Sequence, residues 1–270
     1  MIDCREVIVL DKINTLNYIE IPIVKHCNLN CRYCSHMANV EDAYYMSIDT
    51  FKKDLAQMKT MFDEIAAIRL LGGEPLLHPQ ITEFVEQARL IYPKSEIKIA
   101  TNGLCILTLK PEVLECFKKN GIIIDITMYK PTEMRANAIT QILLTHNVSF
   151  YLSPRVWNFQ RRMLSEPLSD PNVSWDTCKM RYCVVLMEGM LSACYAPRLI
   201  PIAKKRYNKD FDVEGSMISI YDGCSRDKII EFLNTPHKCC AYCGVPEAVE
   251  WGRSETVPDI SDWYVDRPMR

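Results

Sequence analysis

Three cysteines, Cys27, Cys31 and Cys34, stand within eight positions in the stretch "HCNLNCRYCSH". Thiolates this close in sequence can converge on one metal centre. Zinc sites usually join C-x2-C to a second pair or to histidines, and His26 and His36 flank this run. Ferredoxin-type clusters take four thiolates. Three thiolates would leave one iron of a [4Fe-4S] cube open to another ligand. Further on, Cys178, Cys183, Cys194, Cys224, Cys239, Cys240 and Cys243 fall within 66 residues. Cys178, Gly189 and Cys194 read as C-x10-G-x4-C, and Cys240 with Cys243 as C-x2-C. The chain has 13 cysteines, an odd number, so an all-disulfide arrangement leaves one over. Clustered cysteines in a reducing compartment more often mean metal.

These side chains need a scaffold, and the first half of the chain supplies an alternating one. "NYIEIPIV" (17–24) has the pattern of a strand. Over 47–65 Phe51, Leu55, Met58, Phe62 and Ile65 share one helical face, with Ser47 or Asp49 as N-cap. "IAAIRLL" (65–71) is a continuous apolar run, as in a strand buried on both faces. A helix over 80–92, a strand over 96–101 and a helix over 111–121 follow, the last from Pro to Asn-Gly. A strand over 122–128, a helix over 131–146 and a strand over 148–152 complete the series. Five strands separated by four helices predict an α/β fold: a partial (β/α)6-type parallel barrel. Ligands in such folds sit at the C-terminal strand ends. The three cysteines, "GGEP" (72–75) and "TNG" (101–103) follow the first three strands.

After residue 153 the alternation stops. Residues 153–176 look loop-like with three prolines, 183–194 read as a hairpin turning at Glu188-Gly189, and 225–234 read as a short helix. A boundary is therefore expected near 153, between a core at 1–153 and a smaller cysteine-rich region at 154–270.

Bulk composition narrows the setting. The net charge of −2 gives no global reason to expect nucleic acid. No apolar run reaches the ~18 residues of a membrane helix, and the charged N-terminus lacks a signal-peptide core. A cytoplasmic protein without membrane association is expected.

On its C-x3-C-x-aromatic-C motif, with Tyr33 in the aromatic place, and on Gly72-Gly73-Glu74, the sequence resembles the radical SAM superfamily over 17–152. The resemblance implies a [4Fe-4S] cluster on Cys27, Cys31 and Cys34, whose fourth iron is chelated by the amino and carboxylate groups of S-adenosylmethionine. It implies that Gly72, Gly73 and Glu74 hold the methionyl amino group, the glycines by close backbone approach and Glu74 as an anionic acceptor. It places Asn102 and Thr127 near the cofactor as well. The implied chemistry is one-electron cleavage of the sulfonium to a 5′-deoxyadenosyl radical that removes a substrate hydrogen atom, with electrons from a flavodoxin or ferredoxin-type donor.

The later cysteines resemble the twitch form of the SPASM/twitch subgroup, which carries a second, auxiliary [4Fe-4S] cluster. The implied ligands are Cys178, Cys194, Cys240 and Cys243, with Cys183 an alternative to Cys178 and Cys239 to Cys240. Zinc on the same four remains open. A saturated cluster has no iron for substrate, which implies a role in electron transfer. It would accept an electron from the substrate radical, making the net reaction an oxidation. Cys224 could instead return a hydrogen atom to that radical, as epimerisation requires. Cys4, Cys105 and Cys116 read as structural.

Residues 155–206 carry nine Lys or Arg against four Asp or Glu. Arg155 and Arg181 are therefore candidates to hold a phosphate, carboxylate or diphosphate of the substrate. Two enzyme classes fit. One oxidises or epimerises a small sugar, aminocyclitol or related polyol. The other modifies a peptide or protein. Only 16 residues precede the first expected strand, fewer than a leader-peptide-binding domain needs, which favours the small substrate.

Overall fold

The computed structural model describes residues 14–254 and 257–270; Cys4 lies outside the described residues. The first half alternates through β1 (Thr15–Val24), α1 (Ile48–Met61), β2 (Glu64–Gly72), α2 (Ile81–Ile91), β3 (Glu96–Thr101), α3 (Pro111–Lys119), β4 (Ile123–Ile126), α4 (Lys130–Glu133), α5 (Ala136–Thr145) and β5 (Ser149–Leu152). Ser47 caps α1 by accepting a hydrogen bond from Thr50 N, and Pro111 opens α3 where a missing N–H costs nothing. The helix expected over 131–146 is two helices, α4 and α5, broken at residues 134–135.

The second half contains β6 (Asn158–Met163), α6 (Pro171–Thr177), β7 (Val185–Met187), β8 (Met190–Ser192), α7 (Ala196–Tyr207), β9 (Ile218–Ser219), α8 (Arg226–Leu233) and β10 (Cys243–Glu250). The hairpin turns at Glu188 and Gly189, both left-handed at φ 52° and 73°, the signature of a tight primed turn. β6 and α6 occupy the stretch expected to be loop.

The main sheet runs β5-β4-β3-β2-β1-β7-β8-β9. The pairs from β5 through β1 to β7 are parallel, so six strands form the parallel part. β8 and β9 extend it antiparallel. This is the expected α/β partial barrel. The boundary near 153 does not coincide with a break in the sheet, because β7 pairs directly with β1 at Glu20–Val185. β10 and β6 form a separate two-stranded sheet.

Packing explains the layers. Ile19, Ile21 and Ile23 of β1 are buried with Leu55, Met58 and Phe62, while Glu20, between them in sequence, faces the opposite side. On that inner side Glu20 neighbours Arg69 in register, and Arg69 donates to Asp125 Oδ2 at 2.6 Å. Its reach crosses β3 near Ala100, the register partner of Asp125. Among the described residues no helix is long and apolar enough to cross a membrane.

Candidate metal centres

The first cysteine group lies at the C-terminal ends of the parallel strands. Cys27, Cys31 and Cys34 line one cavity of about 140 Å³ together with Gly72, Gly73, Asn102 and Thr127. The main chain fixes this arrangement. Gly73 N donates to Val24 O at 2.8 Å, and Glu74 N donates to His26 O at 3.0 Å. A Cβ at Gly72 would stand 1.9 Å from Val24 O, and one at Gly73 would stand 2.0 Å from His26 O. Two adjacent side chains are thus forbidden by backbone, and the glycines clamp the cysteine loop onto β2. Both glycines also face the cavity.

Glu74 follows the two glycines. Its side chain is fully buried and absent from the cavity wall. Oε1 accepts from Leu76 N at 3.0 Å and from Thr101 Oγ1 at 2.7 Å, while Oε2 accepts from Asn102 N at 2.8 Å. The carboxylate ties the ends of β2 and β3 together, with one acceptor position left on Oε2. Burial pushes its pKa up to about 7, against those three hydrogen bonds. Asn102 in turn donates from Nδ2 to Asn28 Oδ1 at 2.6 Å and to Cys27 Sγ at 3.6 Å.

Burial also pushes the thiols of Cys27 and Cys31 up to about 12. They are protonated at neutral pH, so loading a metal centre here releases protons. His36 faces the same cavity and is held down at about 4 by burial and by Arg69.

Tyr33, the aromatic residue of the motif and a candidate cofactor contact, lines a second cavity. Its φ of 59° turns the backbone left-handed, and its ring lies under Arg32 and Arg161 on the cavity wall. That cavity, about 150 Å³, is also lined by Cys178, Cys194, Cys239 and Cys243. Cys178 ends α6, Cys194 follows β8, Cys239 sits in the turn Lys238–Tyr242, and Cys243 opens β10. Four separate elements thus deliver thiols to one place. Cys240 adjoins the group but does not line the cavity. Cys239 shares its proton with Cys194 and Cys240, which holds both below the usual thiol value, Cys240 at about 7. Arg162 on the wall favours the thiolates of Cys178, Cys194 and Cys243. Cys183 is buried elsewhere.

Three other expected residues are not at either cavity. Cys224 bonds the Ser225 carbonyl at the head of α8. Arg155 stacks on Trp157 at 3.5 Å and pairs with Glu133 at 3.0 Å. Arg181 donates to Trp175 O at 3.2 Å beside the rings of Trp175 and Tyr182. The two guanidinium groups make local contacts, and each keeps a buried Nε without a hydrogen-bond partner among the described residues. The cavity arginines are Arg69 in the first and Arg161 and Arg162 in the second. Sequence reasoning passes over Arg69, yet a lone charge inside the apolar run 65–71 is the available signal. Its Nε is buried with no hydrogen-bond partner among the described residues.

The donors at both cavities are thiols, which ligate iron–sulfur clusters and zinc alike. Among the described residues no three His, Cys, Asp or Glu side chains gather closely enough to hold a single ion. The thiols line the two cavities. The first set is three thiols facing a strip of glycine without side chains; the second offers four.

The model of the radical SAM superfamily matches residues 21–142. A GTP 3',8-cyclase of Microcystis aeruginosa is 31% identical over 106 residues, 38% of this chain and 32% of that protein. Molybdenum cofactor biosynthesis protein 1 of Bos taurus is 32% identical over 98 residues, 36% of this chain and 16% of that protein. The alignments thus span a third or less of these relatives. Among solved structures, BtrN in complex with AdoMet and 2-DOIA is 17% identical with a TM-score of 0.45, covering 84% of this chain and 85% of that one. Native anSMEcpe with bound AdoMet is 19% identical with a TM-score of 0.41, covering 51% and 43%. Residues 21–142, which include the cysteine motif at the strand ends, match the radical SAM superfamily, a family that uses S-adenosylmethionine and a [4Fe-4S] cluster.

Proposed function

We propose that this chain is a two-cluster radical SAM oxidoreductase that dehydrogenates a small polar substrate, a sugar, aminocyclitol or related polyol. The observation that carries the reading is the convergence of Cys27, Cys31 and Cys34 with the glycine strip on one cavity, beside a second cavity lined by four further cysteines. S-adenosylmethionine on the first cluster supplies a 5′-deoxyadenosyl radical for hydrogen abstraction. Cys27, Cys31 and Cys34 hold that cluster, and Gly72 and Gly73 leave room for the methionyl end. Asn102 and Thr127 face the same space and contact the nucleoside part.

The inner face of the barrel favours a small polar substrate. Glu20 and Arg69 line the cavity, Tyr18 donates to Glu20 at 2.7 Å, and Arg69 keeps one N–H without a partner. An unsatisfied guanidinium beside a buried carboxylate suits hydroxyl, amino or phosphate groups. Substrate oxidation is favoured over epimerisation because Cys224, the candidate hydrogen donor, adjoins neither cavity. Cys178, Cys194 and Cys243, with Cys239 or Cys240 as fourth ligand, hold the auxiliary cluster. Arg162 offsets its negative charge. A flavodoxin or ferredoxin-type protein is the expected electron donor.

Anaerobic reconstitution tests the reading. About eight irons per chain are expected for two four-iron clusters, together with 5′-deoxyadenosine on adding S-adenosylmethionine and a reductant. About four irons would remove the second cluster, and no cleavage would remove the assignment. A peptide-modifying role, the competing class, would be supported if a peptide but no polyol raised cofactor cleavage.

A further inference from the structure

The polypeptide that leaves the second cysteine group returns to the first. β10 begins at Cys243, and the residue after it, Trp251, reaches the cysteine loop, where its indole Nε1–H donates to Cys31 Sγ at 3.3 Å. The contact is held from several sides. Trp251 N donates to Trp157 O at 2.8 Å, and the indole stacks on Tyr129 with centroids 5.6 Å apart. Next in the chain, Gly252 O accepts from Arg32 N at 2.8 Å, and Ser254 N donates to Asn30 O at 2.7 Å. Asn30 Nδ2 answers with a bond to Ser254 O at 2.7 Å. The segment 251–254 thus pairs with the loop residues on both sides of Cys31, which is itself 5% exposed. An indole anchored this way cannot drift from the sulfur.

We propose that Trp251 is a positioning residue of the first cysteine group, whose N–H···S bond to Cys31 raises the reduction potential of the cluster held there. The inference rests on the reading of that group given above. Hydrogen bonds to cluster sulfurs, burial and net charge set such potentials. Reduction adds negative charge to the cluster and its thiolates, so a donor on a ligand sulfur favours the reduced form. The anchored N–H keeps the cluster within reach of a protein electron donor.

The test is a mediated redox titration of the reconstituted holoenzyme followed by electron paramagnetic resonance. Only a cluster with an open iron responds to S-adenosylmethionine, so the responsive signal reports the first group. W251F keeps an aromatic ring and loses the donor. Its responsive signal is expected to titrate at a lower potential than in wild type, with the unresponsive signal unmoved. W251H, which keeps an N–H, is expected to recover part of the shift. Turnover with a protein donor should fall in W251F and return with a stronger chemical reductant. If W251F fails to hold iron, 5-fluorotryptophan placed at position 251 alone keeps the indole and changes only its N–H acidity and one ring substituent. Its more acidic N–H should move the responsive signal upward. A responsive signal indifferent to both changes would overturn the inference alone. No effect of S-adenosylmethionine on the wild-type signal would instead overturn the reading of the site.

Discussion

The imidazole of His36 meets the ring of Tyr195 edge to face, with centroids 4.2 Å apart and planes at 68°. His36 lines the first cavity and follows Cys34 by two residues; Tyr195 lines the second and directly follows Cys194. These two rings form part of the wall between the cavities. Removing the Tyr195 ring should weaken the second centre, whose proposed ligand Cys194 is adjacent in the chain, while sparing the first. Y195A is expected to lose iron down to about one cluster per chain and to keep cleavage of S-adenosylmethionine. Y195F, which keeps the ring, should load like wild type. Iron counts paired with 5′-deoxyadenosine yields check this.

Gly73 is the tightest joint in the site. An alanine methyl there would meet His26 O at 2.0 Å, a backbone atom that cannot swing aside. The cysteine loop would have to lift from β2 and break the Glu74 N to His26 O bond. G73A should therefore lower stability by at least ~2 kcal/mol and abolish loading of the first group. Thermal melts of the metal-free protein read the first effect, and iron incorporation reads the second.

Glu74 predicts a pH dependence of the metal-free fold. Its carboxyl sits at about 7 in the folded chain, raised by burial from an ordinary value of 4.5. The folded state binds this proton more tightly than the unfolded state does. The group's contribution is therefore fully present below about 4.5 and is lost as pH rises through about 7. The amount is ~3 kcal/mol at most. E74Q cannot titrate, so its stability relative to wild type should improve as pH rises from 5 to 7.5. Urea denaturation of both proteins at the two pH values measures the difference.

The fourth ligand of the second centre can be assigned by substitution. Cys239 faces the cavity, whereas Cys240 adjoins it and has the lower pKa. The cavity position favours Cys239. C239A should lose the second cluster's iron and C240A should retain most of it. The opposite result would give the ligand role to Cys240.

Much of the frame is legible in the sequence because local rules and burial agree there. The apolar run 65–71 is β2, Ser47 is a cap, and Glu188-Gly189 is the hairpin turn. That the first three cysteines meet at one cavity is legible for a related reason: they are close in sequence, and one loop carries them all. What is not legible depends on distant contacts. β6 has a polar, half-exposed sequence and is a strand because β10 pairs with it. Tyr33 points to the second cavity because of a left-handed φ that its residue type does not announce. Arg155 and Arg181 look available by charge, but Trp157 and Trp175 occupy them. The Trp251–Cys31 contact spans 220 positions of sequence and has no local sign.

The central claim, that the first group and not the second binds and cleaves S-adenosylmethionine, is tested most directly by comparing two triple variants. Each is reconstituted anaerobically and given S-adenosylmethionine with dithionite, and 5′-deoxyadenosine is measured. C178A/C194A/C243A, which lacks the second group, is expected to form 5′-deoxyadenosine, and C27A/C31A/C34A is expected to form none. Cleavage by C27A/C31A/C34A, or its absence in a wild-type chain loaded with both clusters, would contradict the account.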